Sequence, residues 1–346
     1  MVTRHARMLG TLAALLGAAC QPGQDTRASN ITEPRVIALR SVPAEVTPGK
    51  PTELQALVLS PEGPVPEQTL DFAYCVARKP LAASGPVAEE CLHGAPSKAL
   101  VEVGSGNGLS STTPADGCAL FGPKPPAPEA GEPAMRPADP DTTGGYYQPF
   151  IAGADGSTSI GYVRMTCGLV AASQETFLAF TKGYHPNRNP ELARLSLRVD
   201  GGEPRALSAD SPVAVPAGGV VTLRASWAQC PTEDVCGDGV CSGEETTQGC
   251  AEDCADPVGC TGAEDYLLQN PETLKLERRR ETIRVSWFVT GGEVEHDRVG
   301  READDPTARV DNHWTLPTQP GTYWVAAVIR DDRGGQGWAV GNVRVQ

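Results

Sequence analysis

Eleven cysteines punctuate the 346 residues. Cys20 stands apart near the N-terminus. The other ten, Cys75, Cys91, Cys118, Cys167, Cys230, Cys236, Cys241, Cys250, Cys254 and Cys260, split four and six between the two halves of the chain. Thiols at such spacings either hold a metal or oxidise in pairs. Zinc needs four converging N or S ligands, and no second close Cys/His pair of the right kind accompanies these residues. An even count in an exported chain reads as disulfides, with three connectivities open in the first half and fifteen in the second. The run from Cys230 to Cys260 adds a second chemistry. Asp238, Glu244, Glu245, Glu252 and Asp253 stand beside tight glycine turns. Hard oxygen ligands on a sharply turned backbone are what Ca²⁺ requires, so Asp238, Glu244, Glu245 and Asp253 are candidate calcium ligands. The alternative is a disulfide knot with solvated acids, since EF-hand spacing is missing.

Catalytic constellations are harder to find. Apart from His5, the histidines His93, His185, His296 and His313 are scattered and read as surface residues. No HExxH, GxSxG or P-loop occurs. Glu264-Asp265 and Asp304-Asp305 are neighbours in sequence. Neighbours on a strand face opposite ways, which makes them poor acid–base couples. The expectation is a non-enzyme with no cofactor beyond that calcium.

The elements that carry these residues are short strands. With 38 Gly and 31 Pro, much of the chain must turn, and 40% hydrophobic content suffices for real cores. The length suits two domains. In the first half, runs at 35–39, 41–46 and 52–59 read as strands, and Leu70, Phe72, Tyr74 and Val76 alternate onto one face, leaving Cys75 on the other. From Arg78 to Gly145 the pattern collapses into one long irregular loop. Order returns at Tyr146–Phe150. Ser159–Val170 and Glu175–Tyr184 then read as strands, and the turn chemistry of His185 to Pro190 marks a boundary. The order repeats in the second half: 192–199 parallels 35–39, 220–227 parallels 52–59, and 283–289 parallels 70–76.

Two resemblances sharpen this. Residues 1–20 have a basic start at Arg4 and Arg7, an uncharged run from Leu9 to Ala19, and Leu16-Gly-Ala-Ala-Cys20. This resembles the signal and lipobox of bacterial lipoproteins, with Gly17 where Leu is usual. The resemblance implies removal of 1–19, lipidation of Cys20, a flexible tether over 20–33, and, from Gln21, the outer membrane of a Gram-negative cell. The alternative is an ordinary secretory signal. Losing 1–19 removes Arg4 and Arg7 and moves the net charge from −14 to −16, which argues against nucleic-acid partners.

The second resemblance lies in 187–346. Val221-Thr-Leu-Arg-Ala225, Trp287 and Gly321-Thr-Tyr-Trp-Val325 look like strands B, C and F of an immunoglobulin-like or PKD-like domain, with Trp287 as core tryptophan and Tyr323 at the tyrosine corner. Ala225 and Val325 occupy the positions of the cross-sheet disulfide. The run Cys236 to Cys254 resembles small Cys-rich repeats of secreted bacterial proteins. The fold expected is all-β: two tandem immunoglobulin-like β-sandwiches, at 34–186 with its long loop 78–145 and at 187–346 with a Cys-rich insert at 230–260. Phe288, Trp324 and Trp338 would share one outer face and form a partner-binding platform for a protein or glycan. Alternatively, the first domain or the insert covers that face. The functional expectation is a lipid-anchored envelope protein that binds a partner, or else a structural spacer. An enzyme built from unrecognised loop residues is a third reading.

Overall fold

The computed structural model describes residues 27–346 except 93–96, 128–129, 132–134, 136–141, 155, 171, 232–235, 238–244, 246–248 and 255–259. The signal, Cys20 and most of the tether lie outside the described residues, as do Asp238, Cys241, Glu244 and the side chain of Cys254.

Among the described residues, nine strands build the first sandwich: β1 (Arg35–Val42), β2 (Glu45–Val46), β3 (Pro51–Ser60), β4 (Gly63–Pro64), β5 (Leu70–Cys75), β6 (Leu100–Gly106), β7 (Gly108–Thr112), β8 (Gly145–Ala154) and β9 (Ser157–Thr166). β3 pairs with β1, β4 and β7 in one sheet; the other runs β2-β9-β8-β5-β6. Period-2 alternation drops Leu54, Ala56, Leu70, Phe72 and Tyr74 into a common core with Phe150 and Val163.

The segment 78–145 is not one irregular loop. It supplies β6 and β7, and the chain crosses from one sheet to the other at Asn107. A short helix α1 (Gly117–Phe121) follows. The glycines and serines of these strands dilute the alternation that would have revealed them. Glu175–Tyr184 is a second correction. It is mostly helix α2 (Gln174–Gly183), started by Ser173, whose hydroxyl accepts the N–H of Thr176, with Glu175 in the first turn. A short apolar run fits either period, and the cap decides.

The second sandwich repeats the plan. Its strands are β10 (Leu192–Val199), β11 (Arg205–Ala206), β12 (Val213–Val215), β13 (Val220–Trp227), β14 (Asp265–Gln269), β15 (Leu276–Arg280), β16 (Ile283–Val289), β17 (Glu293–Val294), β18 (Arg298–Arg301), β19 (Arg309–Thr315), β20 (Gly321–Arg330) and β21 (Gln336–Val345). One sheet is β11-β10-β13-β19-β17 and the other β12-β21-β20-β16-β18; β14 and β15 form a separate hairpin between β13 and β16. β12 runs parallel to β21, as β2 does to β9. Trp287 is fully buried, and Ala225 and Val325 pack in the same core without a bridge. The hydroxyl of Tyr323 donates to the carbonyl of Gln319 at 3.1 Å, the corner contact its position implies.

Four disulfides are described: Cys75–Cys91, Cys118–Cys167, Cys230–Cys260 and Cys236–Cys250. None joins the two sandwiches. Cys75 does face away from the main core, yet it is buried: the bridge to Cys91 lays Val87, Ala88 and Leu92 over that side of the sheet.

Candidate functional site: the joint between the sandwiches

The aromatic platform is not free. On β16, β20 and β21 the side chains opposite the core are Phe288, Trp324, Ala326, Val328, Trp338 and Val340. Ile31, just upstream of β1, and Ile37, Ala38, Leu57 and Leu59 of the first sandwich pack over all of these but Trp324, which meets Gly63. Ala326 and Val328 are completely buried. Phe288, Trp324 and Trp338 are therefore corrected from a partner-binding surface to an interface within the chain. The Arg40 guanidinium lies 4.2 Å from the Trp338 ring centroid, and Arg35 stands 5.9 Å from that of Phe288. Trp324 lies so close to Gly63 that a Cβ there would come within 2.4 Å of the ring, and Gly63 has φ +126°.

Backbone contacts close the edges. Ile31 donates to the carbonyl of Val289 at 2.9 Å, and Val289 donates to that of Ser29 at 2.8 Å. Arg27 pairs with Glu293 at 2.9 Å. Asn189 Nδ2 donates to the Ser41 carbonyl at 2.7 Å, and its Oδ1 accepts the N–H of Gln336 at 2.9 Å. The sequence carried one signal for this. Leu57 and Leu59 on β3, and Ile37 on β1, are apolar on the side away from their own core, and antiparallel strands apolar on both faces are covered on both.

Beside this apolar seal sits a buried ionic cluster. On the first sandwich, Glu45 pairs with Arg164 at 3.0 Å, both almost without exposure. Glu45 also accepts the N–H of Asn187 at 2.8 Å, the Thr166 hydroxyl at 2.9 Å and the Tyr184 hydroxyl. Burial works to raise its pKa. Arg164, Asn187 and Tyr184 outweigh burial and hold the carboxyl below the ordinary range. Arg164 donates onward to Thr143 at 2.6 Å and fills the space above Gly145, where any Cβ would strike the guanidinium.

The second sandwich contributes the turn between β20 and β21. Arg333 reaches Glu281 at 2.7 Å and Glu264 at 3.1 Å, residues flanking the β14–β15 hairpin, and donates to the His185 carbonyl at 3.3 Å. Asp331 accepts the backbone N–H groups of Arg333 and Gly335 and lies 3.3 Å from Asn187 Nδ2. Asn187 therefore links Glu45 of one sandwich to Asp331 of the other. Burial pushes Glu264 up to about 7 against the pull of Arg333, and it lifts Glu281 well above the ordinary range. Tyr266 lies under the Arg333 guanidinium at 4.9 Å, and burial raises its hydroxyl to about 12.

Sequence reasoning missed this cluster. Its members come from six separate stretches, and each looks like an ordinary surface charge when read alone. In sequence Glu264 stands beside Asp265, whereas in the fold its companion is Glu281 across the hairpin.

The other predicted sites are less complete. In the insert, Glu245 and Asp253 are buried, and their carboxylate oxygens lie within 4.8 Å of each other and of the sulfurs of Cys236 and Cys250. Those sulfurs form a disulfide, so only the two carboxylates have ligand chemistry, and Asp253 already accepts the N–H of Gly237 at 2.6 Å. The histidines are not all scattered. His313 Nδ1 lies 2.6 Å from Glu295, and His296 lies 3.7 Å from the same carboxylate, on an exposed edge. A groove of about 1160 Å³ runs along the outer face of the first sandwich, lined by Asp71, Lys98, Glu102, Ser105, Ser157 and Thr158 among others. Among the described residues, no helix is long and apolar enough to cross a membrane.

Fold and joint together define a tandem immunoglobulin-like β-sandwich protein. No family model matches the chain, and no curated relative matches it. Solved structures with some likeness include fibronectin(III)-like modules of CbhA from Clostridium thermocellum, at 10% identity over 90% of this chain and 94% of that one, TM-score 0.19. The adhesin InvE of Yersinia pseudotuberculosis matches at 10% identity and TM-score 0.21, over 89% of this chain and 58% of the adhesin. A chimeric titin tandem matches at 13% identity and TM-score 0.20, over 90% of this chain and 99% of that one. At such scores the likeness carries no argument, and the assignment rests on the sheets themselves.

Proposed function

We propose that the protein is a non-enzymatic structural spacer of the bacterial cell envelope, anchored by lipid at Cys20. The observation that carries this reading is the face between the sandwiches, fully buried at Ala326 and Val328 and half-buried at Phe288, Trp324 and Trp338. A platform meant for a partner would stand open, whereas Ala326 and Val328 have no exposure at all. A linked pair of modules reaches a partner at a defined distance only if the joint is stiff, and apolar packing and the hydrogen bonds of Asn187 and Asn189 cross this one. Four disulfides suit a protein that works outside the cytoplasm. The lipid anchor rests on the lipobox resemblance alone.

One observation favours a second reading. The groove of about 1160 Å³ on the first sandwich is large enough for a glycan or peptide, and both charge signs line it. Two experiments separate the readings. Growth with labelled palmitate should mark the wild-type chain and leave Cys20→Ser unlabelled; equal labelling of both contradicts the anchor. Crosslinking on intact cells with mass spectrometry, alongside a glycan array, addresses the rest. A spacer gives crosslinks to envelope proteins and no saturable glycan binding, whereas saturable binding abolished by Asp71→Ala supports the groove.

A further inference from the structure

The joint holds more buried negative charge than its cations balance. Arg333 contacts two carboxylates, those of Glu281 and Glu264, and their side chains keep only 1% and 15% of their exposure. Both oxygens of Glu281 are engaged, since Oε1 takes Arg333 and Oε2 takes the N–H of Glu264 at 2.9 Å. Among the described residues, several charged or titratable groups face the pair. Asp331 adds negative charge from the β20–β21 turn. Arg188 adds a positive charge from the linker, but it is partly exposed. The Tyr266 ring lies 4.9 Å from the Arg333 guanidinium, and its hydroxyl donates to Asp332 at 3.4 Å. His185 presents its carbonyl to Arg333, and its ring lies in the same linker. Arg164 is committed to Glu45. One guanidinium thus serves two carboxylates in a place where an uncompensated charge is costly.

We propose that the Glu264–Glu281 pair takes up one proton from solvent and that this proton tightens the joint between the sandwiches. The pair then carries one negative charge against Arg333. Arg333 in turn braces the linker through His185 and orders the turn whose Asp331 reaches Asn187. The uptake is an acid–base step on carboxylate oxygen and needs no other reactant. Loss of the proton at alkaline pH leaves two carboxylates competing for one guanidinium and loosens the turn.

The sign follows from where the carboxyls titrate. Burial moves Glu264 from 4.5 up to about 7 and raises Glu281 as well. Between those values the folded chain holds a proton that the unfolded chain has released. Stability therefore falls as pH rises through that window and is greatest at its acid end. Depressed groups such as Glu45 and Asp311 oppose this, but only where pH drops toward their own values, below the window.

The inference adds proton control to the rigid joint, and its failure would leave the face between the sandwiches untouched. The decisive measurement uses the whole chain with ¹³C-labelled glutamate. The Glu264 carboxyl resonance, assigned with Glu264→Gln, should titrate with a midpoint near 7, and that of Glu281, assigned with Glu281→Gln, should titrate well above the ordinary glutamate range. Midpoints between about 4 and 5 for both overturn the proposal. The second readout is thermal. Wild type should gain at least about 2 °C in Tm between pH 8 and pH 5.5, and Glu281→Gln should lose most of that gain. A gain unchanged in Glu281→Gln assigns it to general charge repulsion and also overturns the proposal. If Glu281→Gln does not fold, the wild-type titration decides alone.

Discussion

The Nε of Arg333 lies 2.7 Å from Oε1 of Glu281, and neither side chain keeps more than 3% of its exposure. One pair joins the β20–β21 turn of the second sandwich to the hairpin upstream of its core strand. Removing the cation strands the carboxylates, a more damaging change than removing both charges. Arg333→Met should cost about 3–5 kcal/mol in chemical denaturation. Arg333→Met combined with Glu281→Leu should recover part of that loss. A double variant no more stable than the single would contradict the pairing.

The close contact between Gly63 and Trp324 makes a second prediction. A methyl group at residue 63 would meet the indole at 2.4 Å on a backbone with φ +126°. Gly63→Ala should destabilise by about 1–3 kcal/mol through overpacking and backbone strain. Trp324 fluorescence should shift if the sandwiches are pushed apart. A neutral Gly63→Ala would mean that the face is not closed in solution.

A charge in the seal gives a sharper result. Val328 is fully buried between the sandwiches, with Ala38, Leu57 and Leu59 in the same cluster. Val328→Asp should separate the two sandwiches while each keeps its own core. Calorimetry should then resolve two transitions, and limited proteolysis should cut near residues 184–191. A single undiminished transition would show that the interface contributes nothing.

The Cys75–Cys91 bridge closes a separation of 16 residues and holds Val87 and Ala88 over the outer face of the first sandwich. Replacing both cysteines by Ala should cost about 3 kcal/mol by releasing loop-closure constraint in the unfolded chain. It should also raise hydrogen exchange in β9 around Ile160. Unchanged exchange there would mean that the cover does not depend on the bridge.

Much of the sandwich architecture was legible because its signals are local. The alternation of Leu70, Phe72 and Tyr74 named β5, and Trp287 with Tyr323 placed β16 and β20 about one core. β6 and β7 escaped because Gly104, Gly106 and Gly108 carry no side chain to alternate. α2 escaped because six apolar-rich residues weighed more than the Ser173 cap. The joint was illegible for a different reason. Glu45, Arg164, Asn187, Glu264, Glu281 and Arg333 are brought together only by the packing of two finished sandwiches, and nothing in their own neighbourhoods distinguishes them from solvated charges. Phe288, Trp324 and Trp338 were found as a face, but what faces them was decided 250 or more residues upstream, by Ile37 and Ala38.

The stiffness of the two-sandwich body comes from that face and from the hydrogen bonds of Asn187 and Asn189 beside it. It is measured most directly as a distance. Spin labels at Val101→Cys on β6 and Val220→Cys on β13 occupy exposed positions on opposite sandwiches. Double electron–electron resonance should give a single narrow distance distribution in wild type, and Val328→Asp should broaden it. A broad distribution in wild type, unchanged by Val328→Asp, would contradict the account.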